Sequence, residues 1–549
     1  MWRHDRVDTK KMVTNADRIV GILMENGVRR LFGMPGGGSN TDIIEAANRA
    51  GLPFSLSQTE CGSAFMACAQ AEITGDPGAC IATLGPGAAS LVNGVATAHL
   101  ERVPLIVITD CWAQPANQVM QHQNLSHGEM FSSVTKCTVR LPAYGISDVL
   151  RCAVTIARRL PPGPVHVDVS AEVTAAIAEP AEDLDNQSSW PSAALATEAR
   201  IPEHVQRILR TARRPIFLVG LGARTVPISV ALEQMCERFC IPALVTYKAK
   251  GIVPDRNPWF GGVLTNGALE REVLEHADVF IAIGLDPVEL LPRPWKLAQP
   301  VISITSWPMN QKQIPFYVEF VGDVVAWLEL VAQNLPRNSD WEKPELLRLV
   351  ERQREAMRPG TSEDTLQPYR VVELVAEAYP AARVTVDAGA HMFPVMSLWK
   401  AEKPCSILIS NGLSTMGFAL PAAIGAALLD TSQPVVCFTG DGGLLMCLAE
   451  LRTAAREGLL LRIIVFDDAA LSLIKTKQIQ RGYATTSTEI GATNWELVGA
   501  GLGLLARKAQ TAEELRICLI DTASHPGPVL IAAQVNPQTY PTTIVALRG

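Results

Sequence analysis

At 549 residues the chain is too long for one hydrophobic core and, at ordinary domain sizes of ~100–200 residues, suggests about three domains. With 48% apolar and 19% charged residues, a net charge of −7 and no dense Lys/Arg run, it has material for buried sheets and argues against nucleic acid as a partner. No apolar run reaches the ~18–20 residues of a membrane span, the first dozen residues lack an apolar signal core, and twelve cysteines without a CxxC fit reduced thiols, so a cytoplasmic protein with no membrane partner is expected.

From residue 15 to about 170 helical and strand patterns alternate: a helix at 16–28, a strand at 29–34, then strands at 80–84, 104–109 and 164–169. That alternation predicts a doubly wound parallel sheet. Gly-rich strand ends at 33–38 and at Gly85-Pro86-Gly87 mark one edge as a ligand surface. Glu60 opens a helix rich in small residues, where the helix dipole stabilises a carboxylate whatever else that carboxylate does. Residues 178–199, with their Pro, Ser and acidic content, read as an exposed crossover.

A second α/β unit follows to about residue 335, with strands at 215–220, 242–247 and 279–284. Its first turn, Gly220-Leu221-Gly222-Ala223-Arg224-Thr225, approaches a dinucleotide fingerprint but ends in Thr where Gly or Ala is required, so nucleotide binding is not expected there. The charged stretch 338–360 reads as a solvated helix and crossover. A third unit begins near Pro368, with strands at 383–389, 406–410 and near 528–535. The expected domains are residues 12–178, 200–335 and 365–540, each a doubly wound parallel sheet.

The most informative stretch is 435–473. An apolar strand runs into Gly440-Asp441-Gly442-Gly443, then a helix, then a second strand ending on Asp467-Asp468. A right-handed strand-helix-strand unit returns the second strand beside the first, which brings Asp441 and Asp468, 27 positions apart, to one sheet edge. Glycine amides suit a phosphate there, and carboxylates suit Mg2+, although Gly-Asp-Gly alone also reads as a turn that starts a helix.

Together, Gly440-Asp441-Gly442 with Asp468, the run NGLSTMGFALPAAIGA, the run GACIATLGPGAASLVNGVATAHLERVPLIVIT and the strand ends DAGAH and GPVHVDV resemble the thiamine diphosphate-dependent enzymes, in particular the acetolactate synthase-like 2-oxo acid decarboxylases and carboligases. The resemblance spans nearly the whole chain and implies pyrimidine-binding, middle and diphosphate-binding domains, with thiamine diphosphate and Mg2+ as cofactors. It implies that Asp441, Asp468 and the Ala470 carbonyl hold the metal, and that Gly440, Gly442, Gly443, Ala390 and His391 line the phosphate pocket. Met416 would buttress the bent cofactor, the Ser414 carbonyl would accept from its amino group, and Glu60 would share a proton with the pyrimidine beside the Gly85 edge. Gln123 falls where relatives carry an active-site Gln. The resemblance also implies a homodimer or homotetramer in which Glu60 and Asp441 of one site come from different chains.

Several positions depart from the family pattern: Asp468 stands where Asn is usual, Ser414 where Gly is frequent, and Thr59 where His or Arg precedes the glutamate. On the substrate side, His122 and His127 lie in the loop 120–130, each readable as a proton donor or as a surface histidine. Leu84, Leu473 and Ile474 would form an apolar wall that favours an aliphatic or aromatic tail, and Lys136 is a candidate for pairing a carboxylate. The middle unit has Gly284-Leu285-Asp286-Pro287-Val288-Glu289 in place of an Arg-rich FAD signature, which argues against FAD and against the biosynthetic acetohydroxyacid synthase itself. The expected activity is decarboxylation of a 2-oxo acid, with or without carboligation to a second carbonyl compound. A benzoylformate-type decarboxylase and a 2-hydroxyacyl lyase are the alternatives within the family, a non-catalytic cofactor-binding paralogue the alternative outside it.

Overall fold

Apolar runs that do not alternate in polarity belong to strands covered on both faces. The computed structural model, which describes residues 12–114, 116, 119–179, 200–360 and 365–549, arranges such runs in three six-stranded sheets. Every strand pairing within the sheets is parallel. The first sheet comprises β1 (Leu31–Gly33), β2 (Phe54–Leu56), β3 (Gly78–Ala82), β4 (Leu105–Asp110), β5 (Thr138–Arg140) and β6 (Pro164–Val169), in the order β2-β1-β3-β4-β6-β5. The second comprises β7 (Pro215–Val219), β8 (Ala243–Val245), β9 (Phe260–Val263), β10 (Val279–Ile283), β11 (Val301–Thr305) and β12 (Phe316–Val321), in the order β12-β11-β10-β7-β8-β9. The third comprises β13 (Arg383–Val386), β14 (Ile407–Ile409), β15 (Val435–Gly440), β16 (Leu461–Asp467), β17 (Leu505–Ala509) and β18 (Val529–Gln534), in the order β14-β13-β15-β16-β18-β17.

Numbered from its own first strand, each outer sheet runs 2-1-3-4-6-5, whereas the middle sheet runs 3-2-1-4-5-6, the order of dinucleotide-binding folds. Helices connect most of the strands, with loops alone joining β8 to β9 and β11 to β12, so the chain forms three α/β domains, as the alternating pattern predicts. The cap chemistry is local. Thr14, for example, starts the helix Asn15–Glu25 by accepting from the Asp17 N–H, while the Asp17 carboxylate accepts from the Thr14 N–H.

The fold separates into two compact units, residues 1–188 and 189–549, the second holding the middle and third sheets. Within it, Lys248 donates to the Ile409 carbonyl at 3.0 Å. Lys250 pairs with Asp255 at 2.9 Å, with side chains 0% and 1% exposed, and Asp255 also accepts from the Ala401 N–H at 3.2 Å. Gly251, at φ +88°, packs so closely that a Cβ would lie 2.0 Å from the Lys403 carbonyl oxygen.

One expectation needs correcting. The stretch 338–360 contains the helix Lys343–Glu355, but that helix is solvated on one face only; Leu346, Leu349 and Val350 are buried in the core of the middle sheet. The expected crossover at 178–199 falls largely outside the described residues, as does most of the polar N-terminus. Among the described residues no helix is long and apolar enough to cross a membrane. All twelve cysteines are free thiols.

Candidate active site

The richest concentration of predicted site residues lies at the carboxyl edge of the third sheet. β15 and β16 are neighbours in parallel register, Gly440 opposite Phe466, so the residues that follow them meet. The Asp441 carboxylate accepts from its own helix at the Gly442 N–H, 2.7 Å, and across the strand gap from Asp468 N–H at 3.2 Å and Ala469 N–H at 2.6 Å. Asp468 accepts from the Ala470 N–H at 3.1 Å and from the Ser472 hydroxyl at 2.8 Å. Ala469 takes the left-handed conformation, φ +57°, that turns the chain back here. Burial raises the pKa of both acids, and for Asp468 the nearby Asp441 adds to the effect. Two crowded carboxyls of this kind favour a cation.

Asp441, Asp468 and Ala470 line a cavity of about 310 Å³ together with Gly440, Gly442 and Gly443. Ala390, His391, Ser414 and Met416 complete the predicted set on the same cavity. His391 is buried and stacked on Phe466 with ring centres 5.2 Å apart. Burial pushes its pKa down to about 3, so the ring is neutral, and its Nε2 is a buried polar atom with no partner. At Gly442 a Cβ would lie 2.7 Å from the Leu471 Cδ2 and 3.5 Å from the Met416 Cε, so a side chain there would have to displace Leu471 and would narrow that wall. Ser414 is exposed at φ +54°, and its hydroxyl is spent on the Asn411 carbonyl at 2.9 Å, which leaves its own carbonyl as the group to consider.

Sequence reasoning passed over the residue that holds this edge together. Asp387, at the end of β13, is 1% exposed and accepts from the N–H groups of Gly417 (3.1 Å), Phe418 (2.8 Å) and Ala419 (3.0 Å) and from the Thr439 hydroxyl at 2.9 Å. It thereby caps the helix Ala419–Leu429 from a different strand and fixes the turn that carries Met416. A Cβ on Gly443 would sit 2.3 Å from its Oδ2, so that glycine is required by packing. The acid was visible in the strand end DAGAH; its partners were not. Lys477, Tyr540 and Arg548 also line the cavity and were not anticipated.

The first domain carries a separate cavity of about 190 Å³, lined by Leu84, Gln123, His127, Arg140 and Asp168 among others. Glu60 opens the helix Glu60–Thr74 behind the N-cap Thr59, and Gly87 packs against it, where a Cβ would lie 3.3 Å from the Glu60 Oε1. Gly85 has φ +67° and packs against the Gln123 backbone. Gln123 is an exposed residue on that cavity wall, whereas His122 is exposed and not part of the lining.

His127 is not a surface histidine: it is 5% exposed. Its Nε2 accepts from the Gly85 N–H at 3.2 Å, so the proton resides on Nδ1, which donates to Asp168 at 2.8 Å. Thr109 donates to the same carboxylate oxygen at 2.6 Å and accepts from His166 Nε2 at 2.7 Å. Burial pushes His166 down to about 4 and leaves its Nδ1 without a partner. The ligating atoms of His127, His166 and Asp168 are grouped as in a metal site, but the Thr109 hydroxyl already bridges two of them. Lys136 donates to the Arg159 and Pro161 carbonyls, so its charge is committed to the backbone.

In the middle sheet the turn after β7 is filled by the chain itself. The Leu221 N–H donates to the Glu289 carboxyl at 2.7 Å, and Thr246 donates to its other oxygen at 2.5 Å. A Cβ on Gly222 would lie 3.0 Å from Gly284 and from Trp307.

Comparison with known proteins matches this layout along its length. Residues 13–130 match the thiamine pyrophosphate enzyme N-terminal TPP binding domain, 203–331 the central domain and 387–533 the C-terminal TPP binding domain. The acetolactate synthase isozyme 1 large subunit of Escherichia coli (strain K12) is 28% identical over 97% of this chain and 96% of that protein. The acetolactate synthase of Bacillus subtilis (strain 168) is 27% identical over 96% and 95%. The catabolic acetolactate synthase of Raoultella terrigena is 28% identical over 98% and 97%. With three domain matches in the family's order on three sheets of the expected kind, the chain belongs to the thiamine pyrophosphate-dependent enzymes and is acetolactate synthase-like.

Proposed function

We propose that the protein uses thiamine diphosphate and Mg2+ to decarboxylate a 2-oxo acid and can pass the resulting acyl unit to a second carbonyl compound. The observation that carries this reading is the pair Asp441 and Asp468, crowded at one strand edge in a glycine-walled cavity that also holds Met416. The residues fit the cofactor on three counts: two acids whose burial favours a cation, a wall at Gly442 that a side chain would narrow, and a buried unpartnered nitrogen on His391. Asp441, Asp468 and the Ala470 carbonyl would hold the metal, a hard cation suited to oxygen ligands. His391, Ala390, Gly440, Gly442 and Gly443 would surround the diphosphate, and Met416 and the Ser414 carbonyl would position the rings. When bound, thiamine diphosphate supplies the electron sink that lets a 2-oxo acid lose CO2.

Glu60 is the chain's proton-holding group in this reading. Its place in the first turn of its helix, closed in by Gly87, supports that role. The acid is also what a purely structural cofactor site would not need. Gln123 and His122 are assigned to the substrate side, and a homo-oligomer in the cytoplasm, with Glu60 and Asp441 contributed by different chains, is part of the reading. No nucleic-acid partner and no FAD enter it; the Leu221 N–H spent on Glu289 supports the latter.

The test is a decarboxylation screen over pyruvate, longer 2-oxo acids and benzoylformate, with and without aldehyde acceptors, in thiamine diphosphate and Mg2+. CO2 release that requires both cofactors is expected. Glu60→Gln is expected to keep cofactor affinity and lose turnover, and full activity of that variant would overturn the mechanism. A strictly monomeric active species would overturn the oligomer.

A further inference from the structure

The apolar wall of the third-sheet cavity ends in positive charge. Leu473 and Lys477 lie four residues apart on the helix Ser472–Gln480 and so share a face, and both line the cavity. Ser472, bonded to Asp468, marks the metal end of that helix; Lys477, five residues on, is about 7.5 Å further along its axis. Arg548 reaches the same cavity from the helix Tyr540–Arg548, which Tyr540, Ile544 and Leu547 anchor against Ala390 and Phe393. The Arg548 guanidinium lies 5.5 Å from the centre of the Phe393 ring, its Nε is buried without a partner, and its backbone carbonyl is held by Arg293.

Neither cation forms an ion pair with a carboxylate among the described residues. The neighbouring Lys475, by contrast, pairs with Glu489 at 3.4 Å. The charges near Lys477 are Arg548 and Arg481, and together with burial they lower its pKa. Two cations held close together with no acid between them are relieved by an anion.

That anion is not the carboxylate lost as CO2. A cation on the departing group would stabilise the ground state more than the transition state, where its charge is leaving, and would slow the reaction. We propose that Lys477 and Arg548 select a 2-oxo acid whose far end carries a second acidic group, a carboxylate, sulfonate or phosphonate, with its carbon chain along Leu473. The proposal rests on the function proposed above.

The experiment compares 2-oxoglutarate with 2-oxopentanoate, which match in chain length and differ in the terminal charge, using the holoenzyme with thiamine diphosphate and Mg2+. The dianion is expected to have a kcat/KM at least about 100-fold higher, the scale of a charged pair of hydrogen bonds. Lys477→Met and Arg548→Met should each remove most of that preference, through a raised KM for 2-oxoglutarate, and Lys477→Arg should restore it. Glutarate binding measured by calorimetry should weaken in the same variants. Equal turnover of the two acids by the wild type would overturn this inference and leave the 2-oxo acid reading standing. Turnover of no 2-oxo acid would overturn both. A fall in thiamine diphosphate affinity with no change in substrate preference would assign the two cations to the diphosphate instead and also overturn the inference.

Discussion

The middle and third sheets both carry a glycine-rich turn at the carboxyl end of a central strand, yet the first is met by a side chain of its own domain and the second by a cavity. After β7 the Leu221 N–H meets the carboxyl of Glu289 at 2.7 Å, so the place where a phosphate would bind is taken by a side chain of the same domain. After β15 the glycines face a cavity of about 310 Å³ in which two acids are crowded and a buried His391 nitrogen has no partner. Glycines at a strand end therefore mark a possible approach of backbone to ligand. What stands opposite them decides whether a ligand is there to be approached.

The largest expected effect breaks the third-sheet side of that comparison. Asp441→Ala should abolish Mg2+-dependent cofactor binding and lower kcat/KM by about 10³-fold or more, the scale of losing a metal's charge stabilisation, as read by cofactor fluorescence titration and steady-state rates. Next comes the middle-sheet side. Glu289→Ala removes the acceptor of a buried N–H and should lower unfolding free energy by about 1–3 kcal/mol in urea titrations, with cofactor affinity unchanged. A joint loss of cofactor affinity would show that the middle sheet serves the site directly.

A milder change at the same residue concerns pH. Burial raises Glu289 from 4.5 to about 8, so in that window the folded chain holds a proton that the unfolded chain has released. Its contribution to stability falls as pH rises from 4.5 to 8, by up to about 1.4 kcal/mol per unit. Melting temperatures of Glu289→Gln against pH should lack that slope. The smallest effect is expected for Asp468→Asn. A neutral carbonyl oxygen still suits a hard cation, and activity should change by less than about threefold. A large loss there would show that the second charge is needed, in contrast to Glu289, where the charge is a cost.

The legible part of the site was the part made by adjacent chain. Gly440 to Gly443, Asp441 and Asp468 could be placed because a strand-helix-strand unit has one handedness and one edge. Asp387 was visible as a strand-end acid, but its four donors come from residues 417–419 and 439, brought together only by folding. His127 stayed ambiguous for the same reason, since sequence spacing does not reveal that Gly85 and Asp168 meet its two nitrogens. Arg548 and Tyr540 come from the last helix, more than seventy residues past Asp468, with no local signal. Lys477 did have one, its four-residue spacing from Leu473. The helix Lys343–Glu355 was misjudged by its charge content, although Leu346, Leu349 and Val350 sit at helical spacing.

The Lys250 and Asp255 pair has a consequence for how the protein comes apart. Both side chains are withdrawn from water, and Asp255 also holds the Ala401 N–H. The pair itself belongs to the middle domain and would stay together, but peeling the middle sheet from the third would take the Ala401 N–H from Asp255 and the Ile409 carbonyl from the buried Lys248, and each lost bond to a buried charged group is costly. These two sheets should therefore melt in a single calorimetric transition and acquire amide exchange together. A protease cutting the connection near residue 360 should yield fragments that stay associated until that transition.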